Sequence, residues 1–447
     1  MATETQKSSI PAMRSPGFKF LLIVILTVAM AVPLFFIQLA LSDREQTAAG
    51  AATDIAAGWG GPQVVAGPVL LVPYTAVRDN VVNGQHVQST EHFTAMLLPE
   101  NLNMKVQAAP GTRWRGIFEV PVYKADIAMH ATFDKAAIAA LLPSDAKVSW
   151  DEATAAIRVS DAHGLADNVA LNVNGRTVPF ESGVDVDDTR FSGIQAHLGL
   201  AGPTDLTLDT KFALRGSREF SVSPLGRRTT ATVQSSWPSP SFFGAFLPTD
   251  RKVGNDGFSA SWTVPYLARG FGQSFESANN QMDMLVQPAF GARFYQPVDH
   301  YQLVERSLKY AILFVALAFL VFFVVETVSP QRLHAVQYAL VGSAQVLFYL
   351  LVLSLSEHIG FALSYLAATA ATVILTSLYA MSVLASRARA VALFVVLSVL
   401  YALLYVILNA EDYALLIGSG LLFAALAATM YVTRRINWYV LTGVVPA

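Results

Sequence analysis

Apolar residues follow two rhythms along this chain, and the change between them divides it. One long apolar run covers Phe18–Leu41, and five more follow: Leu308–Val325, Val336–Leu355, Phe361–Leu384, Ala390–Leu408 and Ala414–Val432. A helix rising about 1.5 Å per residue crosses a hydrocarbon core of about 30 Å in roughly 20 residues. Each run is near that length, so the pattern predicts six membrane spans. The first run is longer than a secretory signal's apolar stretch of about 7–15 residues, which makes it an uncleaved anchor. Between the first and second runs the rhythm becomes alternation. Ile194, Ala196, Leu198 and Leu200 alternate with polar residues, as do Phe258, Ala260, Trp262 and Val264. A period of two marks strands with one dry and one wet face.

The expected fold is therefore a six-helix transmembrane bundle with a large β-rich, sandwich-like domain inserted between helices 1 and 2. The division runs 1–17 tail, 18–41 anchor, 42–305 β-rich domain, 306–432 five-helix bundle and 433–447 tail. Asp43–Trp59 is Ala-rich and suits a helical stalk, and Pro33 is a kink site in the anchor. Gln63–Tyr74 and His92–Leu98 read as strands joined by a hairpin with Asn83-Gly84 at its turn; Asn174-Gly175 marks a second hairpin. Lys135–Leu142 reads as a short helix, with Asp134 as its N-cap and Pro143 as its stop. The domain is one large sandwich or two smaller modules. Any internal boundary is placed near 185–192, where acids cluster.

Charge orients this arrangement. Residues 42–305 carry 20 Lys and Arg against 27 Asp and Glu, a net −7, while the spans hold almost none. With the N-terminus inside, the inside segments hold Lys7, Arg14 and Lys19, then Arg332, then Arg387 and Arg389, then Arg434 and Arg435. The outside links hold Glu357, Glu411 and Asp412. Short links rich in Lys and Arg stay in the cytoplasm. Arg306 and Lys309, at the outer entry to the second span, oppose the rule mildly; a long translocated domain precedes them. The β domain is thus expected outside the inner membrane, in the periplasm, with both termini cytoplasmic. A whole-chain charge of −2 argues against nucleic acid as a partner. The chain has no Cys, which excludes disulfides, thiolate nucleophiles and Cys-ligated metals.

No stretch carries a catalytic or cofactor-binding signature, so neither an enzyme nor a cofactor is expected. His86 and His92 stand at a usable metal spacing, but in an exposed hairpin. Asp185, Asp187 and Asp188 lack the glycine and closing glutamate of a calcium loop. Two features remain. Ser235–Pro248, SSWPSPSFFGAFLP, is too rich in proline and aromatics for a helix or central strand. Trp237, Phe242, Phe243 and Phe246 in it either plug the core, the first reading, or form a partner-binding loop. Glu357 and His358 close the third span, and ionisable groups at membrane depth are often functional. Glu326 sits within reach of Arg332 across a turn, and Gln345 and Tyr349 share a helix face.

SSWPSPSFFGAFLP, YQLVERSLKYAILF (301–314) and FFVVETVSPQRLHAVQYALVGSAQVLFYLLVLSLSEHIGF (322–361) resemble the CreD family of bacterial inner-membrane proteins. The resemblance extends to Gly67–Pro73, GPVLLVP, and to the closing Asn437-Trp438-Tyr439. It implies a role in cell-envelope integrity, linked to a two-component regulatory system, colicin tolerance and the β-lactam response. It implies no catalytic residues.

The leading expectation is a non-enzymatic envelope protein that binds a periplasmic protein or glycan through its β domain, with the lipid bilayer around its bundle. The alternative is a transporter or insertase-like protein whose bundle is the active part. Against an insertase, Arg306 and Lys309 lie near the outer face, and the link Glu326–Ala335 is too short for a helical hairpin. Oligomeric state is not legible. The topology is testable: single cysteines at Asn83 and Ala447 should label oppositely with an impermeant thiol reagent. Labelling of both from outside would contradict six spans.

Overall fold

A computed structural model describes residues 16–82, 85–142, 146–166, 169–187, 189–276, 281–294, 300–327, 329, 331–410 and 413–434. Several expectations fall on other residues: the N-terminal tail before Pro16, the Asn83-Gly84 turn, Pro143, Asp188, Glu411-Asp412 and the C-terminus from Arg435 all lie outside the described residues. The chain forms two compact units, Met1–Thr47 with Val298–Ala447, and Ala48–Pro297.

Among the described residues, six helices are long and apolar enough to span a membrane. The first begins at Pro16 and continues unbroken through Pro33 to Trp59, so anchor and Ala-rich stalk are one helix. The others are His300–Thr327, Ala335–Ile359, Phe361–Leu384, Arg387–Asn409 and Ala414–Thr433. The second to fifth spans pack on their sequence neighbours, and the fifth closes back on the second. The fourth presents Ser364, Ala368, Thr372, Thr376 and Ala380 to its neighbours, all buried at steps of four. Small residues on one face let helix backbones approach closely, which matters where lipid supplies no hydrophobic drive between helices. The sixth span buries none of its residues.

The second unit is a β-sandwich. One sheet runs Pro240–Gly244, Phe290–Phe294, Glu219–Val222, Gln63–Val82, Thr154–Val159, Thr189–His197, Glu181–Val186, with further strands on the Gln63–Val82 strand. The other runs Asp250–Gly254, Gly257–Pro265, Arg228–Ser235, Asn101–Arg115, Phe118–Phe133, Leu206–Ser217, Ala170–Val173, Arg176–Pro179. The inner faces of both sheets meet in two buried clusters, one around Leu70, Leu102 and Leu206, the other around Trp262, Phe220 and Tyr123. Alternation in the sequence becomes alternation in burial: along Gly257–Pro265, Phe258, Ala260, Trp262 and Val264 point in. Asp134 caps the helix Lys135–Leu141, its carboxylate accepting from the Ala136 N–H at 2.8 Å. Asn174 and Gly175 turn their hairpin with φ of 51° and 88°, the left-handed values a two-residue turn requires.

The acidic stretch at 185–192 does not divide the domain. Glu181–Val186 and Thr189–His197 pair there as an antiparallel hairpin of one sheet. Asp185 lies 3.7 Å from Arg190 across that hairpin, and Asp187 accepts at 2.8 Å from the hydroxyl of Thr94 on the strand Gln85–Leu97. His86 and His92 lie six residues apart on one strand, about 20 Å along it, too far to share an ion. Among the described residues, no three His, Asp or Glu side chains stand close enough to hold a metal.

Within the second unit, the last turn of the long helix and the strand that follows it are tied to the sandwich by polar contacts. Arg113 and Arg215 lie over the Trp59 ring at 4.3 and 5.2 Å. Buried Gln63 donates to the carbonyls of Asp161 and Arg215, both at 3.0 Å, and accepts from the Asp161 N–H at 3.2 Å. The Gly61 N–H donates to the Asp161 carboxylate at 3.0 Å.

A second fastening is a buried guanidinium. Arg269 is 4% exposed and donates to the Leu225 carbonyl, the Gln273 side chain and the Gly272 carbonyl. Phe271 and Tyr266 lie under it at 4.6 and 5.0 Å. Burial pulls its pKa down to about 10, so it stays charged at neutral pH. Arg269→Met keeps the stem and strands those acceptors. It should cost about 1–3 kcal/mol of domain stability, measured by denaturant unfolding of the full chain. An unchanged midpoint would show that the guanidinium contributes nothing net.

Candidate functional site

The aromatic stretch divides between core and surface. Pro240–Gly244 is an edge strand, the place in a sheet where proline is tolerated. Trp237, Phe242 and Phe246 are partly buried against the second core cluster. Trp237 meets Phe294 edge-on at 6.1 Å, Phe242 meets Phe258 and Trp262 at 5.7 and 5.9 Å, and Phe246 meets Phe290 at 6.1 Å. The Phe246 carbonyl also accepts from the Trp262 indole at 3.2 Å. Phe243 instead carries the guanidinium of Arg293 at 5.2 Å over its ring, and Arg293 is held by Glu219 at 2.7 Å. Three of the four rings therefore serve the domain's interior.

Other side chains on this domain face outward; Leu247 belongs to the aromatic stretch without being one of its four rings, and the sequence does not single out Leu267 or Trp114. Leu267 is 91% exposed, Leu247 73% and Trp114 62%. Leu267 follows the end of the Gly257–Pro265 strand, and Leu247 lies between two edge strands. Trp114 and Ile117 flank the turn of the Asn101–Arg115/Phe118–Phe133 hairpin, which continues past its neighbours: the flanking strands stop pairing at Ala108 and Val122. Only backbone neighbourhood distinguishes these residues from core residues of the same type, so composition alone could not have found them.

In the bundle, Glu357 is almost buried and His358 is not. The Glu357 carboxylate accepts from the Tyr301 hydroxyl at 3.0 Å and lies 3.7 Å from the Arg44 guanidinium of the first span. His358 faces away, with its ring nitrogen 3.2 Å from the Ser354 carbonyl. Adjacent helix positions point to different sides, so the two form no joint site.

At the opposite end of the first span, Glu326 is held the same way. Its carboxylate pairs with Lys19, accepts from the Tyr338 hydroxyl at 2.8 Å, and accepts from the Leu333 N–H at 3.1 Å. Proximity along the chain suggests Arg332 as a partner for Glu326 and gives no sign of Lys19. Between these ends, the Tyr401 hydroxyl donates to the Gln345 side chain at 2.5 Å, while Tyr365 donates to the Tyr401 carbonyl at 2.7 Å. Gln345 is 3% exposed, and its amide nitrogen finds no partner among the described residues.

These are positions that hold helices and present side chains; they do not assemble a nucleophile, a base and an oxyanion pocket. Known proteins agree with this membrane architecture. The family model for "Inner membrane protein CreD" matches residues 15–439. The chain is 33% identical over 414 residues to Inner membrane protein CreD of Escherichia coli (strain K12), covering 92% of this chain and 91% of that protein. Six apolar spans with a β domain inserted in the chain after the first, and a match over nearly the whole length, make this chain a member of the CreD family of inner membrane proteins.

Proposed function

We propose that this chain is a non-enzymatic envelope protein whose β domain docks a partner, a protein or a glycan, on the periplasmic side of the inner membrane. The bundle holds the domain there, with both termini in the cytoplasm. Its cellular role is the support of envelope integrity under stress, including β-lactam and colicin challenge. The observation that carries the docking reading is that turns of a rigid sandwich hold large apolar side chains outward: Leu267 past one end of the second sheet, Trp114 on the hairpin that runs past its other end, and Leu247 between the two edge strands. Covering exposed apolar side chains drives most protein association, and a large aromatic such as Trp114 is a common anchor of it. Phe243 under Arg293 is a further anchor, the one ring of the aromatic loop that does not line the core. The orientation is supported by the basic residues Lys19, Arg332, Arg387 and Arg389 gathered on one side of the spans.

A second reading places the activity in the bundle, as in a transporter or insertase. Its support is buried Gln345, with an unpartnered donor at the level of the spans' middle. The two readings separate by substitution. Trp114→Ser, Leu247→Ser and Leu267→Ser together should leave the protein folded and in the membrane. Cells carrying them should survive β-lactam challenge no better than cells lacking the protein. Gln345→Leu should leave survival unchanged. Full survival with the triple variant and loss with Gln345→Leu would move the activity into the bundle.

A further inference from the structure

The first span meets the rest of the bundle along a thin line. Ile23, Leu34, Ile37 and Leu41 are buried, and Met30 lies between them on the same seam. Met30 packs at Gly342, where a side chain would come within 3.0 Å of its sulfur. Phe20, Val28, Val32 and Phe36 are all more than half exposed. In lipid such a seam holds weakly, because the tails are as apolar as the side chains they replace. The polar contacts of this span are concentrated at its two ends.

Those ends share one chemistry. Each has a nearly buried carboxylate on the bundle, a basic side chain from the first span and a tyrosine hydroxyl from another span. Glu326 takes Lys19 and Tyr338; Glu357 takes Arg44 and Tyr301. Lys19 and Arg44 are 25 residues apart on one helix. At about 1.5 Å per residue that is roughly 37 Å, more than the hydrocarbon core and less than the whole bilayer with its headgroups. Both pairs therefore fall at the interfaces, where a lone carboxylate is still costly to bury and a partner decides its position.

We propose that these two clamps set the depth and rotation of the first span, and that this span is the part of the bundle that shifts when a clamp opens. The clamps are unequal. Glu326 gathers Lys19, Tyr338 and a backbone N–H in a site where both charged side chains are largely buried. Glu357 faces an Arg44 side chain that is 51% exposed and 3.7 Å away, so water screens that pair. The Lys19 clamp dominates.

The absence of native cysteine makes the test direct. Phe20 and Phe323 touch across the first and second spans, their ring centroids 6.3 Å apart. Phe348 and Tyr365 touch across the third and fourth at 5.3 Å and serve as the reference pair. Cysteines at either pair in the full chain, in native membranes, are joined by a short bifunctional thiol reagent. Glu326→Gln should lower the yield at 20/323 by about threefold, the population shift expected when one intramembrane polar contact is removed, and leave 348/365 unchanged. Glu357→Gln should lower it less. Exchanging the charges, Lys19→Glu with Glu326→Lys, should restore the yield. Equal yields in every variant would overturn the proposal. So would a parallel fall at both pairs, because the clamp would then hold the whole bundle and not one span.

Discussion

A charge buried between membrane-spanning helices must find its counter-charge within the protein. That constraint governs the membrane half of this chain. Its spans are nearly free of ionisable groups, and the two nearly buried carboxylates described here, Glu326 and Glu357, each meet a cation of the first span. Backbone polar groups obey the same constraint by closing on themselves in helices. What remains to hold the helices together is close packing and a few hydrogen bonds. The small-residue face of the fourth span and the bond from Tyr401 to Gln345 are the two clearest instances. The first and sixth spans have less of either, and the first carries two charged fastenings.

The β domain is built in water and uses the opposite economy of contacts. Its two sheets hide Trp262, Tyr123 and Phe220 between them, and their outer faces stay wet. The buried phenol of Tyr123 donates to the Glu219 carbonyl at 2.6 Å, and burial raises its pKa well above the usual value. Such a core fixes the turns around it. Turns so fixed can hold Leu267 or Trp114 outward without the domain collapsing over them, which is the physical basis of the proposed docking.

Much of this was legible in the sequence where the signal is local. Apolar runs gave the spans, and alternation gave the inward faces of strands such as Gly257–Pro265. Asn174-Gly175 gave a hairpin, and Asp134 a helix cap. Contacts between distant residues were not legible. Arg228–Ser235 lies parallel to Asn101–Ala108, and Gln63–Val65 lies parallel to Phe220–Val222. No turn announces such pairings, because parallel strands need long connections. Lys19 and Glu326 are 307 residues apart, so proximity in the chain pointed to Arg332 instead. The aromatic loop shows the same limit at the candidate site. Its composition marked it as unusual, but only the edge strand Pro240–Gly244 decides which rings face the core.

The most direct test is photo-crosslinking in living cells from position 267, with position 209 on the wet face of the same sheet as the comparison. Leu267 is held out by a turn, and Asp209 lies in the middle of a strand beside His130. Docking through the β domain predicts one discrete envelope product from 267 that is absent from 209. The same faint background from both positions would contradict it, and the β domain would then have no claim to be the working part of this protein.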